Sequence, residues 1–456
     1  MITYSIIQKS QLEGAHRIDA DYFQPEYLKV AKKLSEINHI RLKDISESVI
    51  NFGAYSLCNY IEWKEEGIPY LNVENIKEGF IDFDNVKFID EKANGILKKS
   101  EVKEGQVILT MAGTIGNAAV AHKIHNKVNS NQATAKITLK KGFSPYYLAA
   151  FLNSYYGKSQ TNREIVSSVQ SNIFLWQIKD FKVPVVSEIK QKEIETIYLN
   201  GLNELDNSKL LYTQAENLLL QELNLSSEAL VKEEKNCYIV NFSDVQSANR
   251  MDAEFFQPKY EKLIKILGGN KKKLREIARR VTKLAKIDSE NNYNYIQISD
   301  INISNGEVSF NVIIGKDLPA NAKVPIEGNE LIVSKVRPTR GAVAIIPRGW
   351  SQRFIASAAF SVFIDTSIPK EYLQVVLRSI IGKLQFEKPT TGTSYPTVTD
   401  DDIGSVYIPL VNNSVQQKIA ELVKKSHEAR KKSKELLEEA KRKVEDYIER
   451  DRDKKC

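Results

Sequence analysis

Two long stretches carry the clearest alternation of apolar and polar positions. From Glu188 to Glu222 there is no proline and a single glycine. Steps of four and three residues pick out Ile194, Tyr198, Gly201, Leu205, Ser208, Tyr212, Ala215 and Leu219. The same steps near the other end pick out Ile419, Val423, Ser426, Arg430, Ser433, Leu437, Ala440 and Val444. A seam at a mean spacing of ~3.5 residues marks helices wound on one another, and small residues within it permit close approach. Two helices are therefore predicted, each roughly 50 Å long at ~1.5 Å per residue. They are expected to pack on each other; packing of each onto its own globular domain is the alternative.

Between these stretches the pattern changes to period two, with β-branched residues and Gly or Asn turns, which predicts strands. The first half gives Pro69 to Val73, Gln106 to Thr110, Ala118 to Ala121 and Ala133 to Leu139. A helix is predicted after Ser144-Pro145, running to about Tyr156, because proline suits a first helical turn. A last strand, Asp180 to Val186, leads into the first long helix, and Ser405 to Val411 does the same in the second half.

The two halves are one unit written twice. Arg17-Ile18-Asp19-Ala20-Asp21-Tyr22-Phe23-Gln24-Pro25 recurs as Arg250-Met251-Asp252-Ala253-Glu254-Phe255-Phe256-Gln257-Pro258, at an offset of 250 − 17 = 233. Tyr70-Leu71-Asn72-Val73 matches Tyr295-Ile296-Gln297-Ile298 at an offset of 225, as do Gly157 and Gly382, Gln160 and Gln385, and Pro184 and Pro409. The period is far longer than a solenoid's ~20–50 residues, so this is a duplicated domain. The expected architecture is α+β: two similar β-rich domains related by a pseudo-two-fold, joined by two long antiparallel helices. The boundaries are 1–186 and 225–411 for the domains, 187–224 and 412–456 for the helices. A two-fold protein commonly meets a two-part target, as dimeric DNA readers do.

Composition narrows the class. With 42% hydrophobic and 27% charged residues, the chain is neither disordered nor fibrous. No stretch approaches the ~18 apolar residues of a membrane span, and the start, MITYSIIQKSQLEG, lacks the plan of a signal peptide. A cytoplasmic protein with no membrane partner is expected. Cys58, Cys237 and Cys456 lie too far apart for a disulfide framework, and Cys58 is expected to be a small core residue.

Lys and Arg exceed Asp and Glu by 65 to 58, and the mild net charge of +7 hides an uneven distribution. From Gly105 to Arg163 there is no acid, although Lys123, Lys127, Lys136, Lys140, Lys141, Lys158 and Arg163 are present. Leu331 to Ile364 is likewise acid-free and holds Lys335, Arg337, Arg340, Arg348 and Arg353. Phosphate attracts cations and repels carboxylates, so paired acid-free tracts are the expected footprint of a DNA-facing surface. Arginine suits guanine, and amides suit adenine. The base-reading candidates are accordingly Arg337, Arg340, Arg348 and Arg353, with Asn129, Asn131 and Gln132 in the first copy. Lys123, Lys127 and Lys335 are assigned to phosphate. The polar loop holding Thr391, Thr393, Ser394 and Tyr395, and its counterpart around Ser167 to Asn172, are expected to hold backbone phosphates.

Catalytic patterns are missing. The chain has thirteen prolines but no Pro-Pro pair for the loop with which an amino-methyltransferase grips a flipped base. It also lacks a glycine-rich turn after a strand for a nucleotide cofactor. Gly157-Lys158-Ser159 has no earlier glycine, and its partner reads Gly382-Lys383-Leu384, so it is not a phosphate loop. His122 and His125 have no third ligand nearby, so no metal is expected. Asp400-Asp401-Asp402 is expected to cap a helix.

The duplicated Arg-x-Asp-Ala-x-x-Phe-Gln-Pro phrase resembles that of type I restriction-modification DNA specificity subunits. So do Gly113-Thr114-Ile115-Gly116 after a strand and the Val336-Arg337-Pro338 counterpart, while copy two departs from the Gly-Thr-Ile-Gly phrase in having Pro338-Thr339-Arg340-Gly341. The resemblance implies two target recognition domains, about Leu42 to Val186 and Leu274 to Val411, each reading one half of a bipartite double-stranded DNA site. The long helices would set the unread gap and dock two methylation subunits, with restriction subunits joining through the complex. No catalysis and no bound cofactor are implied for this chain; S-adenosylmethionine, ATP and Mg would sit on the partner subunits. A tandem protein-binding scaffold without DNA function is the alternative, and a self-contained nuclease or methyltransferase is disfavoured by the missing motifs.

Overall fold

A computed structural model describes residues 4–15, 17–52, 61–165, 171–225, 237–350, 352–392 and 395–450. The chain divides into two compact units, one of residues 1–205 with 430–456, the other of residues 206–429. The predicted boundaries ended each domain before its helix; the compact units instead take in portions of both helices.

Each unit is built on an antiparallel four-stranded sheet. In the first unit the order is Ser46–Ile50, Thr134–Leu139, Val107–Thr110, Ala118–Val120. In the second it is Arg279–Arg280, Phe360–Ile364, Leu331–Ser334, Val343–Ile345. A second sheet, three-stranded in the first unit and four-stranded in the second, holds one parallel pair: Ile68–Leu71 beside Asn129–Ser130, and Asn292–Ile296 beside Phe354–Ser357. The duplication thus extends to strand order and direction. The repeated proline also has a task. His39–Arg41 pairs with Lys182–Pro184 and Lys271–Lys273 with Tyr407–Pro409. The Tyr147 and Tyr372 hydroxyls donate to the Pro184 and Pro409 carbonyls at 2.8 and 2.7 Å, tying this ribbon to the helix beneath it.

The helices run Glu188–Glu222 and Asn413–Arg450. All sixteen seam positions are buried. In the first unit Lys443 meets Glu193 at 2.7 Å and Lys432 meets Glu204 at 2.5 Å, so the helices are antiparallel there. A Cβ on Gly201 would lie 3.0 Å from Leu437, the close approach that small seam residues permit. In the second unit the Ser426 hydroxyl donates to the Ser208 carbonyl at 2.7 Å across the seam. The two packing alternatives are both realised. Ile194, Tyr198, Leu437 and Val444 belong to the core of the first domain, and Tyr212, Leu219, Ile419 and Val423 to that of the second.

The helix predicted to run to about Tyr156 is two helices, Pro145–Asn153 and Tyr155–Glu164. Ser154 leaves helical geometry, and its hydroxyl accepts from the Gly157 amide, so it caps the second helix. The turn is so tight that a Cβ on Gly157 would lie 2.2 Å from the Phe151 carbonyl oxygen. Ser379 caps the matching helix by accepting from the Ile381 amide, and a Cβ on Gly382 would lie 2.2 Å from Leu377 O. Gly157-Lys158-Ser159 is therefore a packing device.

Overfilling such a contact costs about 1–3 kcal/mol or more. Gly157→Ala and Gly382→Ala are each expected to lower the midpoint of urea unfolding, whereas Gly95→Ala, with nothing within 4 Å of its Cβ, leaves it unchanged or raises it.

Candidate nucleic-acid interface

The turns that follow the central strands are the best-defined candidate surfaces. After Val107–Thr110, the Thr110 hydroxyl donates to the Thr114 carbonyl at 2.5 Å and accepts from the Asn117 amide at 2.9 Å. Gly113 and Gly116 have φ of 66° and 84°, left-handed values that suit glycine. A Cβ on Gly116 would strike Thr161 at 2.9 Å. This closes the turn and leaves Gly113 and Thr114 exposed at its tip.

In the second unit the corresponding turn, Pro338–Arg340, is a short 3-10 helix, flanked by Arg337 and Gly341 at φ of 47° and 83°. Arg340 is exposed and Thr339 half-buried. The Arg337 guanidinium lies 5.5 Å from the centre of the Tyr395 ring, and its amide donates to the Pro396 carbonyl at 2.8 Å. Arginine and the polar loop thus form one surface. Thr391 pairs with Thr397 across the base of that loop. Thr393 and Ser394 lie outside the described residues, as do residues 167–170 of the first-copy loop, Cys58 and Cys456.

Sequence reasoning missed what holds this turn from below. Arg378 is buried and donates to the carbonyls of Gly341 and Ile303, both at 2.9 Å. The Tyr212 ring of the long helix lies 5.3 Å from its guanidinium. In the first copy Asn153 occupies the matched position and exchanges two hydrogen bonds with Ala118, at 3.0 and 2.7 Å.

Arg348 and Arg353 are exposed and sit apart from that turn in sequence, between Val343–Ile345 and Phe354–Ser357. They flank an aromatic group that the sequence reading did not single out: Trp350 stacks on Phe354 at 4.8 Å, and Phe310 meets Trp350 edge-on at 4.9 Å.

Several first-copy assignments need correction. Asn129 is fully buried; its amide donates to Asn94 at 2.8 Å, and its carbonyl oxygen accepts from Ser100 at 2.6 Å, so it has no face for a base. Asn131 and Gln132 are half-buried, with the Asn131 carbonyl oxygen accepting from the Ala133 amide. The tract without acids is also not free of acids in space. Lys127 meets Glu91 at 2.7 Å, Lys158 meets Glu78 at 2.9 Å, and the Lys123 amide donates to Glu104. Exposed pairs such as Lys127–Glu91 are worth only ~0–1 kcal/mol, so phosphate can displace the carboxylate. Lys335 is more deeply set: it and Arg280 converge on Asp400 at 3.3 and 3.1 Å. The Asp400–Asp402 run caps as expected, Thr399 and Asp402 forming a capping box.

Lys136 is the clearest departure from a DNA-facing role. It is fully buried, its ammonium donates to the Ser130 hydroxyl at 2.9 Å, and burial pushes its pKa down to about 8. At the matched position copy two has Ser361, which donates to Asp400.

Among the described residues no group of three His, Cys, Asp or Glu side chains could hold a metal, and no helix is long and apolar enough to cross a membrane. Fold and site together define a duplicated α+β protein whose two sheet domains each present a turn after a central strand, Gly-containing in the first and Arg-containing in the second.

The chain matches the type I restriction modification DNA specificity domain over residues 35–218 and 268–442, and it belongs to that family. It is 22% identical over 397 residues to the type I restriction enzyme MjaVIII specificity subunit of Methanocaldococcus jannaschii, covering 82% of this chain and 84% of that one. It is also 26% identical over 134 residues to the type I restriction enzyme EcoBI specificity subunit of Escherichia coli, covering 28% of this chain and 27% of that one. Among solved structures, the S subunit of a type I restriction-modification system from M. genitalium aligns over 90% of this chain and 96% of that one, at 13% identity and a TM-score of 0.41.

The depressed Lys136 pKa has a consequence for stability. Between about pH 8 and 10.5 the unfolded chain still holds this proton and the folded chain has lost it, so stability rises with pH across that window. Below it, the buried ammonium costs on the order of 3 kcal/mol. Lys136→Met is expected to abolish the rise in urea-unfolding free energy; a flat wild-type curve would refute the assignment.

Proposed function

We propose that the chain is the non-catalytic DNA-specificity subunit of a type I restriction-modification complex. Each sheet domain, within 1–186 and 225–411, reads one half of a bipartite double-stranded site. The helices, 187–224 and 412–456, set the gap and dock two methylation subunits, through which restriction subunits join. S-adenosylmethionine, ATP and Mg are held by those partners, and the complex works in the cytoplasm. The observation that carries this reading is the family match in both halves, each containing the same strand-turn-strand unit with a different turn sequence. Different turns on one scaffold are what two different half-sites require.

In this reading Arg337 and Arg340 contact bases of one half-site. Thr339, Thr391, Thr393, Ser394 and Tyr395 face its backbone, and Arg348 and Arg353 flank it. Gly113, Thr114, Lys123, Lys127, Asn131 and Gln132 serve the other half. Phosphate contacts make binding to duplex DNA fall steeply with salt; a purified complex with its methylation partner whose duplex affinity is insensitive to salt would favour the protein-scaffold alternative.

Two outcomes follow for the methylated motif. Arg337→Ala with Arg340→Ala removes about 1–3 kcal/mol of discrimination per base contact, so methylome sequencing is expected to show one half-site relaxed and the other intact. Inserting one turn, ~5.4 Å, into a long helix is expected to widen the gap by roughly one to two base pairs at ~3.4 Å each; an unaltered gap counts against the ruler.

A further inference from the structure

The phrase that is written twice most faithfully lies outside both candidate turns, yet its geometry is reproduced almost contact for contact. Arg17 holds Asp19 through two hydrogen bonds of 2.8 Å and donates to the carbonyls of Glu164 and Ile165 at 3.2 and 3.3 Å. Arg250 holds Asp252 through two of 2.7 Å and donates to the carbonyls of Pro389 and Thr390 at 3.0 and 3.5 Å. Each guanidinium also lies over an aromatic ring of its own phrase, Tyr22 at 4.6 Å and Phe255 at 4.7 Å.

Those carbonyls are where the polar loop begins. In the second unit the loop then pairs Thr391 with Thr397, and the next carbonyl back, Pro396 O, accepts from the Arg337 amide. In the first unit the returning strand pairs Asn172 with Ala112, and the Ile173 amide donates to Met111 O, at the base of the Gly113–Gly116 turn. One end of the loop is therefore fastened to the clasp and the other to the turn.

We propose that Arg17 and Arg250 are positioning residues for DNA reading, each fixing the base of the polar loop and the turn of its own unit. Neither touches the bases. A planar guanidinium suits the task because it reaches a carboxylate and two carbonyls at once, which an ammonium on a single stem does less well. The inference rests on the half-site reading above.

The test uses the full chain assembled with its methylation subunit, on duplexes carrying the motif found in the wild-type methylome and on versions with either half scrambled. Arg250→Gln is expected to lower discrimination at the half read by the second unit by on the order of tenfold, comparable to one displaced base contact, and to leave the other half unchanged. Arg17→Gln does the reverse. Arg250→Lys recovers part of the loss, and the salt slope is retained, because the phosphate-facing cations remain. Should Arg250→Gln unfold the unit, as thermal melting would report, Asp252→Asn removes the clasp's anchor at nearly constant shape and is expected to act in the same direction. Unchanged discrimination in a folded variant, or equal loss at both halves, overturns the inference. A wild-type complex that distinguishes neither scrambled half overturns the half-site reading instead.

Discussion

Each domain of this protein can close its core only by borrowing from two helices at once. The apolar stripe on each helix is wide enough to meet a partner helix on one flank and a sheet domain on the other. Tyr198 and Leu437 lie in the same core as Leu109 and Ile137, and Tyr212 and Val423 in the same core as Val333 and Phe363. Burying a large side chain fully is worth ~1.5–3 kcal/mol, so losing the helices would strip several such terms from each domain. Helices and domains share one repeat because each contributes side chains to the same core.

The parts legible in the sequence were those with a period. Sixteen seam positions emerge from steps of four and three, and all are buried, because a helix seam repeats its environment every turn. The duplicated phrases likewise located matched strands and prolines. Lys136 and Asn129 were misjudged for a physical reason. A strand buried on both faces loses the alternation that would mark an inward side chain, so a lysine between Ala135 and Ile137 looks solvent-facing. Asn129 meets Asn94 and Ser100, partners some thirty residues away that no local pattern reveals. Ser154 and Gly157, kept in both copies, were the available sign that one predicted helix was two.

Charge gave a partial account for a similar reason. Absence of acids along a tract says nothing about acids brought to it by folding, and Glu78, Glu91 and Asp400 arrive that way. What survives as candidate recognition surface is smaller than the tracts: the turns around Gly113–Thr114 and Arg337–Arg340, with the polar loop beside Arg337. Their backbone is fixed by glycines at positive φ, by Arg378 and by the loop pairing, while their side chains differ between copies. A scaffold that constrains main chain and leaves side chains variable is suited to acquiring new targets by substitution.

The membership of Arg430–Arg450 in the first unit bears on how the protein is made. The first domain's sheet and helices leave the ribosome long before the segment that completes its core. At ~5–20 residues per second, the interval between Leu205 and Arg430 is roughly ten to fifty seconds. During it Tyr198 and its neighbours have no helical partner, whereas the second domain finds its central helix already synthesised. The half of the protein translated first is thus the last to be finished.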